Sequence, residues 1–322
     1  MDPDTAPAAE LHAWHEFCVA TDRFDLPGEP DPPRADTLGP LIGDEDRRST
    51  WFTRSAGDIV GGVTLVLAAF ENAHSAEVGI RVRPDARRAG IGRVLFGHAR
   101  SVALAEGRTE FETWVLAGGP GVAFAQAMGM RPALEEVRRI LQMSGVDASV
   151  HGLAAGAAAR TDGFDLVRWV DRCPDEWLEA YSAARNGMND APTGELDWRP
   201  ESLTGPRMRV REGTSVRRGW RRYVVAVRDR STGTIAGLTE MFVSPDSVRA
   251  HQGSTTVLER YRGRGFGLWV KAAMIRWLSE VEPHVTEHET GNAAENQHMI
   301  AINERLGYRA VGSWQVLRQP LP

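Results

Sequence analysis

The sequence predicts an α/β chain built from two copies of one domain, and three observations carry that reading. The pattern Arg-x-x-Gly-x-Gly occurs twice, at Arg87-Arg-Ala-Gly90-Ile-Gly92 and at Arg262-Gly-Arg-Gly265-Phe-Gly267, and every matching position is displaced by 175 residues. Each copy follows a β-rich stretch and opens an amphipathic helix. Each is also preceded by a hairpin and followed by a strand, a short helix and a Gly turn, a succession that two unrelated Gly loops would not share.

In the first copy a strand at Trp51-Phe-Thr, a turn at Ser55-Ala-Gly57-Asp58 and a strand from Ile59 to Ala69 form the hairpin. Its counterpart runs from Tyr223 to Val227, turns at Ser231-Thr-Gly233 and returns from Thr234 to Val243. The third strands, Ala76 to Val82 and Ser254 to Val257, end at matched valines. After the Gly loops, Leu95, Ala99 and Val102 in one helix and Val270, Met274 and Trp277 in the other recur at i, i+4, i+7. Phe111 to Val115 and His284 to Thr290 are the next strands, and Met128-Gly-Met130 and Leu306-Gly-Tyr308 the closing turns. Small residues from Ser144 to Ala159 read as a connector, with an Ala-rich helix as the alternative, so the expected domains are 1–150 and 160–322 with a boundary near residue 155. Residues 20–48 and 186–215 show little periodicity and read as long loops beside a site or an interface.

Composition narrows the function. The 322 residues carry 38 Lys plus Arg and 43 Asp plus Glu, a formal net charge of −5, which suggests neither a nucleic-acid binder nor an acidic tail. Cys18 and Cys173 stand alone, without metal-ligand spacing or a disulfide framework. The acidic, Pro/Ala-rich start lacks the basic and apolar regions of a signal peptide, and no apolar run approaches the ~20 residues of a membrane span. A soluble cytoplasmic protein is expected, a monomer or homodimer without metal, nucleic-acid or membrane partners.

A Gly-rich turn between strand and helix presents backbone N–H groups at the positive end of the helix dipole, which suits a phosphate anion. Arg87 and Arg88, or Arg262 and Arg264, add charge-assisted bonds. A dinucleotide fingerprint would need GxGxxG after the first strand with an acid about 20 residues on, and a P-loop would need Gly-Lys-Ser/Thr. Neither pattern is present.

Arg-x-x-Gly-x-Gly after a strand resembles the acetyl-CoA signature of the GNAT superfamily of N-acetyltransferases, in both halves. The arrangement is similar to the tandem GNAT proteins of actinobacteria, a group that includes mycothiol synthase. The second half is the closer match, because Thr290-Gly-Asn292-Ala-Ala-Glu-Asn296 resembles the family's last strand and helix start. The resemblance implies a mixed sheet in each half, splayed after its fourth strand, with the pantetheine arm of acetyl-CoA paired to backbone near Val257. It implies cofactor contacts from Arg262, Gly263, Arg264, Gly265, Phe266 and Gly267, and from Asn292 and Asn296. In the first half Val82, Arg87, Arg88, Gly90 and Gly92 form the corresponding cradle, and that half is read as degenerate or non-catalytic, with Glu77 on the strand before the loop, where family members can carry a base.

The expected reaction is acetyl transfer to a primary amine of a small molecule, made directly because no nucleophilic Cys or Ser elbow is present. The first candidate base is Glu240, a carboxylate on an inner strand, where burial is costly unless the group is paired or used. His251, Glu259, Glu287 and Tyr308 are weaker candidates. Where the family places a Tyr acid, this chain has Ala125 and Asn303; Asn303 is the second candidate catalytic residue beside Glu240, and the missing Tyr leaves a CoA-binding sensor or scaffold as the rival reading. Asn189 and Asp190, after a helix from Glu176 to Ala184, fall where the family binds its acceptor.

Overall fold

Local turn chemistry sets the first hairpin. Ala56 and Gly57, with φ of 50° and 95°, make the two-residue turn between β1 (Arg47–Ser55) and β2 (Asp58–Leu67), as the right-handed twist of paired strands requires. The computed structural model describes residues 1, 3–146, 150, 152 and 162–322; the expected boundary near residue 155 and most of the expected connector lie outside them.

Two compact units result, and they are not consecutive halves of the chain. The first comprises Met1–Glu135, Thr193–Arg199 and Ser313–Pro322; the second comprises Glu136–Pro192 and Pro200–Gly312. Both domain ranges expected from the repeat, 1–150 and 160–322, are therefore crossed by these divisions.

In the first unit β1 and β2 continue into β3 (Ser75–Val82) and β4 (Glu110–Leu116), and the sheet closes with the end of β11 (Arg309–Pro320), where Trp314 to Pro320 lie antiparallel to β4. β3 and β4 are parallel and the other pairs antiparallel, so the sheet is mixed. Helix α1 (Ala8–Asp25) buries Trp14, Phe17, Cys18 and Thr21. Short α2 (Arg34–Leu38) follows it. α3 (Ile91–Ala105) lays Leu95, Phe96 and Ala99 on Val63, Leu65 and Val78, and α4 (Pro120–Ala127) adds Ala125.

In the second unit the order is β5 (Arg131–Gln142), β10 (Glu287–Ala293), β9 (Arg249–Val257), β8 (Ile235–Val243), β7 (Arg221–Asp229) and β6 (Phe164–Val170). Only β9 and β10 run parallel. One face packs on α7 (Phe266–Val281), where Val270, Met274 and Trp277 fill the core with Tyr223, Val225 and Met241. The other packs on α5 (Leu178–Arg185) through Tyr181 and Ala184, with Val224 and Leu238 opposite. α8 (Gln297–Arg305) precedes the closing Gly turn. No described helix is long and apolar enough to cross a membrane.

Both expected loops contain helix. The end of α1 and all of α2 fall in 20–48, and α6 (Gly205–Arg217) starts within 186–215, where little periodicity shows because its buried face is mostly polar: Met208, Glu212 and Ser215. Glu212 accepts a hydrogen bond from the Cys173 amide at 2.8 Å, and Arg222 donates to Ser215 Oγ at 2.8 Å. Such a helix is held by bonds its own hydrophobic pattern does not announce.

Candidate functional site

The two Gly loops have one geometry. Gly90 (φ 85°) and Gly265 (φ 81°) are the left-handed residues before α3 and α7, a conformation glycine adopts without steric cost. The first amides of each helix lack intrahelical acceptors and point outward. Arg87 Nε donates to the Val82 carbonyl at 3.0 Å, and Arg262 Nε to the Val257 carbonyl at 3.1 Å. One difference is local: the φ > 0 position held by Gly263 (77°) in the second loop is held by Arg88 (66°) in the first.

The cradles differ in how tightly their arginine is engaged. Arg87 is clamped bidentately by Asp25 at 2.8 and 2.7 Å and stacks on Phe24. Arg262 meets Asp190 through one nitrogen, and the pair is about half exposed, so it is held weakly and can turn toward an incoming phosphate. Arg264 lies over the rings of Phe164 and Tyr261 rather than in the loop mouth. Phe266 is core, 1% exposed, so it offers the loop only its amide. Gly267 allows α7 to approach α8: a Cβ there would stand 3.2 Å from Ile302 Cδ1.

Beside this second loop the sheet opens. β9 and β10 pair only from Arg249/Glu287 to His251/Glu289; from Gln252 onward β9 is bonded on the β8 side alone. The opening continues into a groove of about 550 Å³, whose wall includes Gln252, Gly253, Thr255, Thr256, Val257, Arg262 and Gly267 on one side and Thr290, Gly291, Asn292, Asn296 and Met299 on the other. Gly187, Met188 and Asp190, from the turn after α5, also line it, while Asn189 instead bonds the Glu201 backbone. Glu136, from β5, lines it too.

In the first unit β3 and β4 part after Glu77 and Glu112, but the opening is crossed by chain atoms. Thr113 Oγ1 donates to the Val78 carbonyl at 2.7 Å, and the Phe124 ring lies 3.1 Å from where a Cβ on Gly92 would stand. At the parting point Trp198 Nε1 donates to Glu112 Oε2 at 3.0 Å, and its ring stacks on Trp114. Asn72 and Arg199 exchange amide hydrogen bonds, and His74 bonds the Asp197 carbonyl, so the 193–199 segment is strapped down. Trp198→Ala is expected to destabilise the first unit by about 2 kcal/mol through the unpaired Glu112 oxygen and lost ring contact, seen as faster hydrogen exchange in β3 and β4.

Glu240 and Asn303 lie outside the groove wall. Glu240 is buried; Tyr181 donates its hydroxyl to Oε1, the Ser254 amide lies 3.3 Å from Oε2 and Arg185 Nε 3.2 Å from it. Burial alone would raise its pKa, but Arg185 and Arg222 outweigh that and hold the carboxyl below the usual range. It is thus a weak base, paired rather than solvent-facing. Asn303, fully buried, donates to Asn292 Oδ1 at 2.6 Å and so orients a groove residue. Asn296 caps α8 by accepting from the Met299 amide at 3.2 Å, leaving its NH₂ for the groove.

Residues 11–130 match the acetyltransferase (GNAT) family. A tandem GNAT protein from the clavulanic acid biosynthesis pathway, solved without AcCoA, superposes with a TM-score of 0.82 at 29% identity, covering 99% of this chain and 97% of that one. The chain has the tandem GNAT fold. A GCN5-related N-acetyltransferase from Sphaerobacter thermophilus shares that fold, with TM-score 0.69 and 15% identity over 98% of this chain and 94% of its own. Another from Kribbella flavida has TM-score 0.53 and 14% identity, over 86% and 91%. A search of curated protein sequences finds no match.

The GNAT match falls on the first copy, whereas the residue pattern ranks the second closer. Within this fold the expected cofactor residues divide accordingly. Val257, Arg262, Gly267, Asn292 and Asn296 line the second unit's groove, and Gly263 and Gly265 shape its loop. Val82, Arg87, Arg88, Gly90 and Gly92 belong to the first unit's cradle. Of the weaker base candidates, Glu287 is paired with Arg249 and Tyr308 is buried in the core. Glu136 has no signal in the linear sequence, since only strand pairing brings it to the groove.

Proposed function

We propose that the chain is an acetyl-CoA-dependent N-acetyltransferase that moves the acetyl group directly to a primary amine of a small molecule, with cofactor and chemistry both in the second unit. The observation that carries this reading is the groove that opens where β9 leaves β10 and runs to the Gly265 loop. Its parts suit the cofactor's chemistry: helix-terminal amides and Arg262 for a diphosphate, and an unpaired strand edge from Gln252 to Val257 for an amide-bearing arm. Asn292 and Asn296 offer side-chain amides opposite. The thioester held there would be pre-oriented for attack, so positioning supplies much of the rate gain. Two free, buried cysteines accord with a reducing, cytoplasmic setting.

Calorimetric titration of acetyl-CoA, repeated with Gly265→Glu and Gly90→Glu, tests the reading. Both glycines have φ > 0 and open space where a Cβ would stand, so each substitution carries a similar backbone cost of about 1–2 kcal/mol and differs in which cradle receives the negative charge. Gly265→Glu is expected to weaken binding at least about 100-fold, as an anion placed against a diphosphate costs several kcal/mol, while Gly90→Glu leaves that site intact. No binding to the unaltered chain would sink the reading. Binding without turnover on any of a panel of amines would make the chain a CoA-binding sensor or scaffold.

A further inference from the structure

We propose that Glu136, brought to the groove by β5, is the carboxylate that meets the acceptor's ammonium group and takes its proton. The inference rests on the acetyltransferase reading and assigns its missing base. β5 begins in the first half of the chain, yet Glu136 to Gln142 pair with β10 and belong to the second unit. Glu136 is thereby set opposite Ala293, beside Gly291.

Gly291 makes the room. A Cβ there would lie 3.1 Å from Glu136 Oε2, so the carboxylate occupies the space that a side chain on β10 would fill. Glu136 shares the groove wall with Gln252, Gly253 and Thr290, at the point where β9 and β10 separate. It is partly buried and, among the described residues, has no hydrogen-bond or ion-pair partner.

That isolation sets it apart. Glu287 and Glu289 are held by Arg249 and Arg138, and Asp190 by Arg262. Glu295 and His298, which also line the groove near the start of α8, are exposed. Burial is the one influence on the Glu136 carboxyl, and it raises the pKa toward the range of a working base. An ammonium beside it would supply the missing counter-charge.

The step balances. The carboxylate removes one proton from R–NH₃⁺; the freed lone pair attacks the thioester carbonyl and the C–N bond forms. Collapse breaks the C–S bond, whose electrons leave on sulfur, and the second nitrogen proton passes to that thiolate. The products are the amide and CoA thiol, and Glu136 returns its proton to solvent.

The test uses the full chain with Glu136→Gln and Glu136→Asp. Acetyl-CoA affinity, by calorimetry, is expected to stay within about twofold in both, while kcat for Glu136→Gln falls about 100-fold or more at pH 7. Its rate should then rise with pH toward the amine's own pKa, and Glu136→Asp should recover part of the activity. Carbon-detected titration of the unliganded protein should place the Glu136 midpoint above that of an ordinary glutamate. Glu136→Gln with undiminished kcat and the same acid limb, or an ordinary midpoint, would overturn the assignment alone. Wild type that binds acetyl-CoA and acetylates no amine would overturn the acetyltransferase reading, and the role of Glu136 with it.

Discussion

Lys271→Met is expected to make the second unit more stable, by about 3 kcal/mol at pH 7. Lys271 projects from α7 into the core, fully buried, with its ammonium 2.7 Å from Gln252 Oε1 and over the Tyr308 ring. Among the described residues no carboxylate offsets it, and burial lowers its pKa from 10.5 to about 7. A lysine depressed that far costs the folded state on the order of 4 kcal/mol at neutral pH. Methionine keeps the apolar stem, and the unpaired Gln252 oxygen returns about 1 kcal/mol of the gain.

The sign of the pH dependence separates this from a packing effect. Between about pH 7 and the unfolded value the unfolded chain binds one more proton at this site than the folded chain, so wild-type stability rises with pH, by about 1.4 kcal/mol per unit. Below that window both states are protonated and the penalty is full. Denaturant unfolding at several pH values should show the slope in wild type and its loss in Lys271→Met. His288, on the same sheet face and also buried, is lowered to about 3 by burial and by Lys271, so it stays neutral throughout and does not blur the window.

Glu240→Gln is expected to have a large effect of opposite sign, a loss of about 3–5 kcal/mol in the second unit. Glutamine keeps the contact with Tyr181 but removes the buried anion that Arg185 and Arg222 both face, and breaking one side of a buried ion pair costs that much. Because the folded-state pKa of Glu240 is depressed, its contribution is complete above the ordinary glutamate value and is lost only as pH falls below it. The melting temperature of the second unit should drop on the order of 10 °C near pH 7, with the gap from wild type closing in acid. If Glu240→Gln left stability unchanged while abolishing turnover, the carboxylate would be a base after all.

Much of the fold was legible because its signals are local. Gly57, Gly90 and Gly265 sit where the backbone needs φ > 0, and Leu95, Ala99, Val270 and Met274 announce their helices by spacing. The first-unit helix α1, which buries Trp14, Phe17, Cys18 and Thr21, was not read from the sequence, and neither was α6, whose buried face is mostly polar. Glu240 was recognisable as an inner-strand carboxylate, but not as a paired one, since Arg185 and Arg222 approach it from other elements.

By itself, then, the amino-acid sequence determined the repeat, the two Gly loops with their arginines, and the strand and helix that flank each. Those depend on dihedral preference and periodicity, which are properties of a few neighbouring residues. Tertiary structure decided which sheet each closing strand joins, because a strand's alternation specifies its faces and not its partner. Pairing of β5 with β10 placed Glu136 over Gly291, pairing of β11 with β4 closed the first unit's sheet, and tertiary packing turned Glu240 inward to Arg185. The candidate base was thus legible as a glutamate and illegible as a base, since what sets its charge and its reach is the company that long-range pairing gives it.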